Sequence, residues 1–168
     1  MYKSKKEKLR EIPKKNYIYL LLILLGTILL LIYIYKWYDT YNESELNTSI
    51  MNEYLTVINY NELDNYIIEN KDAVIYVSIL GNEKINRFER KFKNAILDNN
   101  LKNEILYLDL TNENINTVTK KLQIDENFPH LVVYTNGIIT DTYNIKENNY
   151  SSNKTIKYLN RIGVTNND

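Results

Sequence analysis

Few side chains in this sequence are suited to chemistry. Its 168 residues include one histidine, His130, and no cysteine. The lack of cysteine excludes thiolate nucleophiles, disulfides, Cys-ligated zinc and lipid attachment through cysteine. A metal centre or a Ser-His-Asp arrangement would need His130, but no ligand-spaced companions accompany it. We therefore favour a satisfied or surface imidazole without a chemical role.

Asp109 is the second candidate, because it lies at the end of a predicted central strand, where catalytic acids often lie in α/β folds. The alternative, which we favour, is that Asp109 caps the following loop or helix. A hydrolase that uses His130 and Asp109 ranks third among our hypotheses. The four glycines are not grouped, so no phosphate-binding loop is present. We expect no enzyme activity, no metal site and no cofactor.

Residues 17–35 form a run of nineteen residues without a charge. As a helix at about 1.5 Å per residue, this run covers roughly 28 Å, close to the ~30 Å hydrocarbon core of a bilayer. Tyrosines stand at both ends, where amphipathic rings favour the headgroup boundary. We predict a transmembrane helix over residues 17–36 that contacts membrane lipid. A buried helix is the alternative, but a domain this small could not cover a helix that is apolar all round.

The flanking charges predict the orientation of this helix. Residues 1–16 carry seven Lys or Arg and two Glu, whereas acidic residues from Asp39 onward follow the span. The positive-inside tendency places residues 1–16 in the cytoplasm as a basic tail, and everything after Lys36 outside the cell membrane. A cleavable signal peptide would have an apolar region of about 7–15 residues followed by small residues. Bulky aromatic residues follow here, so we predict an uncleaved, single-pass anchor.

Strand and helix patterns alternate after a polar tether at residues 37–53. Apolar runs at 73–78 and 105–110 are typical of strands covered on both faces. Helical spacing recurs over 82–99, with Asn82 as the predicted N-cap. Asn136 and Gly137 give a strong hairpin signal. The predicted strands are 54–58, 73–78, 105–110, 131–135 and 138–143, and the predicted helices are 61–69, 82–99, 115–122 and 153–162.

This order, β-α-β-α-β-α-β-β-α, predicts an α/β fold over residues 54–164, in which helices cover both faces of a mixed sheet. Residues 165–168 are predicted to be a disordered tail. The part of the chain after residue 16 is mildly acidic, because the sequence has a formal net charge of zero and its first residues are basic. Such a domain has no electrostatic surface for nucleic acid, so we do not expect a nucleic-acid partner.

Two local features resemble the thioredoxin family. One is the strand AVIYVS, which runs through a loop into the helix that contains Phe88. The other is Phe128-Pro129-His130, followed by an apolar strand and the hairpin signal. Together with the element order over residues 54–163, they resemble divergent membrane-tethered thioredoxin-like proteins of bacteria, similar to bacteriocin-transport accessory proteins. The resemblance implies a cis Phe128-Pro129 bond at the start of the strand that leads into the hairpin.

The chain departs from the family where the family's chemistry lies. The resemblance places Asn82 and Ile85 at the two cysteine positions of the CxxC motif, and Tyr76 near the position of a buried acid. Because thiol-disulfide exchange needs an attacking thiolate, we expect no oxidoreductase activity. Family members also hold extended peptides beside the cis-proline through main-chain hydrogen bonds, and such bonds need no cysteine.

We therefore predict a polypeptide-binding surface on a redox-inactive, membrane-anchored domain outside the cytoplasm. The expected setting is peptide export or the handling of envelope proteins. The alternative is a vestigial surface on a structural subunit of a membrane complex. The predicted partner-binding residues are Gly81, Asn82, Glu83, Lys84, Ile85, Phe128, Pro129 and His130.

Overall fold

The computed structural model describes residues 13–102 and 104–164. The chain divides into two compact units, Met1–Glu43 and Ser44–Asp168. The predicted basic tail lies outside the described residues except for its end at residues 13–16, and so does the predicted disordered tail at 165–168.

Apart from Pro13, the described part of the first unit is a single helix, α1 (Lys14–Leu46), whose last residues belong to the second unit. Its apolar window has a mean hydropathy of 2.7 and no buried residue, which makes it a candidate membrane span. Leu20, for example, is 67% exposed. A helix with apolar side chains on all sides favours an apolar surrounding. The helix continues ten residues beyond the predicted end of the span at residue 36, because no proline or glycine interrupts residues 37–46.

The second unit begins at Ser44, earlier than the predicted domain start at residue 54. The later part of the segment predicted as a tether is part of the fold. Met51 is fully buried in a short 3-10 turn (Met51–Glu53), and Ile50 packs against the same core. These two apolar side chains explain why the segment folds although its composition is polar.

The strands and helices of the second unit follow the predicted order. The predicted bounds of residues 73–78 and 115–122 are confirmed, whereas the first strand is shorter than predicted. The elements are β1 (Thr56–Val57), α2 (Leu63–Glu69), β2 (Ala73–Ser78), α3 (Glu83–Asp98), β3 (Ile105–Asp109), α4 (Ile115–Leu122), β4 (His130–Thr135), β5 (Ile138–Asn144) and α5 (Ser152–Arg161).

The five strands form one mixed sheet in the order β1-β3-β2-β4-β5. Strands β1 and β3 are parallel, as are β2 and β3, whereas β4 is antiparallel to both β2 and β5. Strand β2 is central, and within it Tyr76 pairs with Tyr107 of β3 and with Leu131 of β4. The mixed α/β sheet predicted from the sequence is confirmed.

Successive side chains of the central strands enter two different cores, because side chains alternate between the faces of a sheet. In β2, Tyr76 packs with Phe88 and Phe92 of α3 on one face, whereas Ile75 and Val77 face the other. Helices α3 and α5 cover the first face, and α2 and α4 contribute to the core of the second. The sheet is therefore the middle of three layers.

Local signals in the sequence explain two of the element boundaries. The Asn82 side chain accepts hydrogen bonds from the backbone N–H groups of Lys84 and Ile85, so Asn82 is the N-cap of α3, as predicted. Asn136 and Gly137 have φ angles of 54° and 81° between β4 and β5. Positive φ at both central residues is what a tight two-residue hairpin turn requires.

Phe92 anchors α3 to the sheet. It is fully buried, and its ring centroid lies 5.6 Å from that of Tyr76 and 5.1 Å from that of Phe88. We predict that Phe92→Ala lowers the free energy of unfolding by about 3–5 kcal/mol, because the cavity cannot close fully. Urea unfolding of the full chain in detergent micelles, followed by near-UV circular dichroism, measures this loss. Leu97→Ala, at a side chain that is 51% exposed, is the control, and an equal loss in both variants would contradict the prediction.

Candidate functional site

The exposed part of the predicted surface is the loop between β2 and α3 and the first turn of α3. Residues 81–84 are exposed, whereas Ile85 is 2% exposed and belongs to the core. Gly81 has a φ angle of 78°, a conformation that side chains with a Cβ rarely adopt. The loop can therefore present main-chain and polar groups to a partner.

The Phe128-Pro129 bond is cis, as the resemblance implied. It precedes β4, where His130 pairs with Val77 of β2, so the bond lies next to the end of β2. Phe128 shares an apolar core with Ile85, which brings the two predicted halves of the surface together. However, Phe128 and His130 are only 4% and 2% exposed, so their side chains are not accessible to a partner.

His130 is held by a neighbouring carboxylate. Its Nε2 atom lies 3.2 Å from Oδ1 of Asp125. The same oxygen accepts a hydrogen bond from the backbone N–H of Asn127. Burial lowers the pKa of the imidazole, although the Asp125 carboxylate acts in the opposite direction. This environment fits the expectation of a satisfied histidine.

Asp109 caps the loop after β3. Its Oδ1 atom accepts hydrogen bonds from the backbone N–H and the hydroxyl of Thr111. The Thr111 hydroxyl oxygen in turn accepts a hydrogen bond from the backbone N–H of Leu80, at 2.8 Å. Asp109 therefore holds together the loops at the ends of β2 and β3, as the capping interpretation expects. Within residues 13–102 and 104–164, no three His, Asp or Glu side chains are grouped as metal ligands.

A buried carboxyl lies beneath the start of α3. Glu89 is 3% exposed, and its Oε1 atom accepts hydrogen bonds from the Tyr76 hydroxyl at 2.8 Å and the Ser78 hydroxyl at 2.9 Å. Burial raises the pKa of Glu89 to about 7, although both hydrogen bonds act against the increase. The resemblance placed Tyr76 near the position of a buried acid. Tyr76 is not an acid, but its hydroxyl donates a hydrogen bond to the buried carboxyl of Glu89, which belongs to α3.

The sequence pattern of α3 predicts that Glu89, like Arg90 and Lys91 beside it, is one of the charged residues that separate the apolar positions, and for Glu89 this prediction is wrong, because the side chain is buried. Glu89 follows Ile85 by four residues and precedes Phe92 by three, so helical geometry places all three on one face. The spacing alone could have identified Glu89 as buried. The presence of its two hydroxyl partners depends on the pairing of the helix with β2, which spacing does not reveal.

The chain's own residues 45–48, here called the covering segment, lie against the start of α3. The C=O of Leu46 accepts a hydrogen bond from the backbone N–H of Gly81 at 3.0 Å, and the C=O of Glu45 accepts one from the side-chain amide of Asn86 at 3.2 Å. The Glu45 carboxylate also pairs with the Arg90 guanidinium at 2.5 Å. Carbonyl groups in the last turn of a helix lack hydrogen-bond donors within the helix. The Gly81 N–H and the Asn86 amide supply donors to two of these carbonyls.

The covering segment lies over the region of Glu89. Leu46 and Thr48 line a space together with the loop before α3 and Glu89, and this space is too small to hold a water molecule. Just after this segment, the Ser49 hydroxyl is buried beside that of Tyr107 in β3. Burial raises the pKa of Tyr107, although a hydrogen bond with Ser49 acts against the increase. The contacts of the covering segment with Gly81 and Asn86 could not be predicted from the sequence, because no local pattern indicates a pairing between residues about forty positions apart.

The buried carboxyl makes stability depend on pH. The folded chain binds the Glu89 proton more tightly than the unfolded chain, in which the ordinary pKa is 4.5. We predict that stability falls as pH rises from about 4.5 to 7, by about 3 kcal/mol in total. Glu89→Gln keeps an oxygen for both hydroxyls but cannot ionise, so this part of the pH dependence disappears and the variant is the more stable protein at pH 8.

Urea unfolding between pH 4.5 and pH 8 measures this difference. Glu83→Gln is the matched control, because the Glu83 side chain is 66% exposed on the same helix. Parallel stability curves for the native chain and Glu89→Gln would contradict the prediction.

No protein-family model matches the chain, and no curated protein matches its sequence significantly. Solved structures do match its fold. Thioredoxin f2 of Chlamydomonas reinhardtii aligns with a TM-score of 0.50 and 12% identity, over 66% of this chain and 97% of that one. A chain from the complex of ferredoxin:thioredoxin reductase with thioredoxin f2 aligns with a TM-score of 0.50 and 12% identity, over 64% and 94%. The α/β unit of this chain therefore has a thioredoxin-like fold.

Proposed function

We propose that the chain is a membrane-anchored, redox-inactive protein whose thioredoxin-like domain binds a polypeptide partner outside the cytoplasm. The main support is the hydrogen bond from the Gly81 N–H to the Leu46 C=O. The surface at the start of α3 thus engages the main chain of a polypeptide, here the chain's own. A partner bound by main-chain hydrogen bonds needs no cysteine on this domain.

The exposed loop at residues 81–84 is the part of the predicted surface through which a partner binds. Beside it, neither the N–H nor the C=O of Phe128 takes part in a hydrogen bond within the described part of the chain, although the residue is only 4% exposed. Unpaired main-chain groups next to a sheet are what an added extended segment uses. Ile85, Phe128 and His130 support this surface from the core.

The domain acts by contact rather than by reaction. The sequence provides no thiol, and thiol-disulfide exchange requires one. His130 and Asp109 are each engaged by a different neighbour, Asp125 and Thr111. A binding domain that is displayed on a membrane helix suits an accessory role in peptide export or in the handling of envelope proteins in a bacterial cell.

A structural subunit of a membrane complex is the second candidate. It is favoured by the hydrogen bonds that hold the end of α1, at Glu45 and Leu46, to Asn86 and Gly81. In that case the surface at the start of α3 serves only to hold the chain's own helix end. The two candidates differ in whether residues 81–84 contact another polypeptide in the cell.

We predict that a photo-crosslinking amino acid in place of Lys84 captures a polypeptide in intact cells, because Lys84 is exposed beside the proposed surface. The same amino acid in place of Lys120 is the control, since this residue is exposed on α4, whose core lies on the opposite face of the sheet. Mass spectrometry of the crosslinked bands measures the capture. Identical bands at both positions, or none at Lys84, would favour the structural subunit.

The proposed topology has its own prediction. Because the chain contains no cysteine, any introduced thiol is the only one present. A membrane-impermeant maleimide should label Lys84→Cys in intact cells and should label Lys14→Cys only after the cells are lysed. Gel shifts of the labelled protein measure both reactions, and labelling of Lys14→Cys in intact cells would show that the orientation is reversed.

A further inference from the structure

We propose that the polypeptide partner replaces the covering segment on Gly81, Asn86 and Arg90, and that it therefore carries an acidic residue followed by an apolar one. This inference rests on the proposed function and names the chemistry of the partner. Glu45 and Leu46 supply that chemistry in this structure. The covering segment is thus a resident occupant that competes with the partner.

Two donors on the domain recognise consecutive main-chain carbonyls. The Gly81 N–H binds the carbonyl of Leu46, and the Asn86 amide binds that of Glu45. Neither bond depends on the side chain of the bound residue, so any polypeptide with the same main-chain path can make both. The main chain therefore gives affinity without selecting a sequence.

Arg90 and the apolar residues of the loop determine which partner sequence binds. The Arg90 Nε donates a hydrogen bond to the Asn86 side-chain oxygen at 2.9 Å, which orients the guanidinium toward the Glu45 carboxylate. A guanidinium held in this way suits a carboxylate ligand better than a flexible ammonium group does. Leu46 lines the same small space as Ile79 and Leu80 of the loop. An acidic residue followed by an apolar one meets both requirements.

A partner can displace the covering segment, because the interactions that hold the segment in place are weak. Its ion pair is exposed, with 40% of the Glu45 side chain and 47% of the Arg90 side chain accessible, and such pairs are individually weak. The Glu89 carboxyl lies buried beside the covering segment. Burying a carboxyl is costly, and this cost opposes closure. Covalent attachment gives the segment a high effective concentration, and this favours it over a free peptide.

The test uses the full chain in lipid nanodiscs and a fluorescein-labelled peptide, Ser-Glu-Leu-Asn-Thr-Ser, which copies the covering segment and its neighbours. Glu45→Gln weakens the resident occupant but leaves the proposed binding groups unchanged. We expect this variant to bind the peptide about two- to five-fold more tightly than the native chain does. Fluorescence anisotropy measures the affinity.

Arg90→Gln, added to Glu45→Gln, should reverse the gain and weaken binding about two- to five-fold. A peptide with Gln in place of Glu should bind equally weakly and should no longer respond to Arg90→Gln, because the interaction that the substitution removes is already absent. Arg87→Gln is the matched control, since Arg87 lies on the same helix but pairs with Glu83.

The proposal is overturned if Glu45→Gln does not increase peptide binding, if no variant binds the peptide, or if Arg87→Gln weakens binding as much as Arg90→Gln does. Capture of a polypeptide at Lys84 in cells, together with no peptide binding in nanodiscs, would leave the proposed function standing and refute this inference. Failure of both experiments would refute the proposed function as well.

Discussion

The contact between α3 and β2 determines what the start of α3 can present to a partner. Phe88 and Phe92 lie against the ring of Tyr76, and Glu89 joins the same interface through its hydrogen bond to the Tyr76 hydroxyl. The apolar contacts fix the distance between the helix and the sheet, and the hydrogen bond restricts the rotation of the helix about its axis. Because α3 is fixed in both respects, its first turns hold Asn86 and the loop at Gly81 in place.

The same interface separates buried groups from accessible ones. Glu89 is a buried carboxyl near the proposed surface, and burial raises its pKa to about 7. Its side chain faces the sheet and the covering segment rather than solvent. The groups near the proposed surface that can meet a partner include the exposed loop at residues 81–84, the Asn86 amide and Arg90. Main-chain donors, an amide and a guanidinium are suited to binding a polypeptide.

Much of the fold follows from periodicity, whereas the site depends on contacts that periodicity does not encode. The strand at Ala73–Ser78, the helix cap at Asn82 and the hairpin at Asn136 were predictable, because each is specified by residues close together in the sequence. The burial of Glu89 was predictable from its spacing, but its charge suggested an exposed position. The contact of Leu46 with Gly81 was not predictable, because it joins two polar segments with no local signal for pairing.

Partner binding and the end of α1 are linked through the carbonyls of Glu45 and Leu46. If a partner displaces the covering segment, both carbonyls lose their donors on the domain, and water or another donor must replace them. Any condition that stabilises the last turn of α1 in its present contacts would therefore weaken binding of such a partner, and a bound partner would in turn disfavour those contacts, since the coupling is reciprocal.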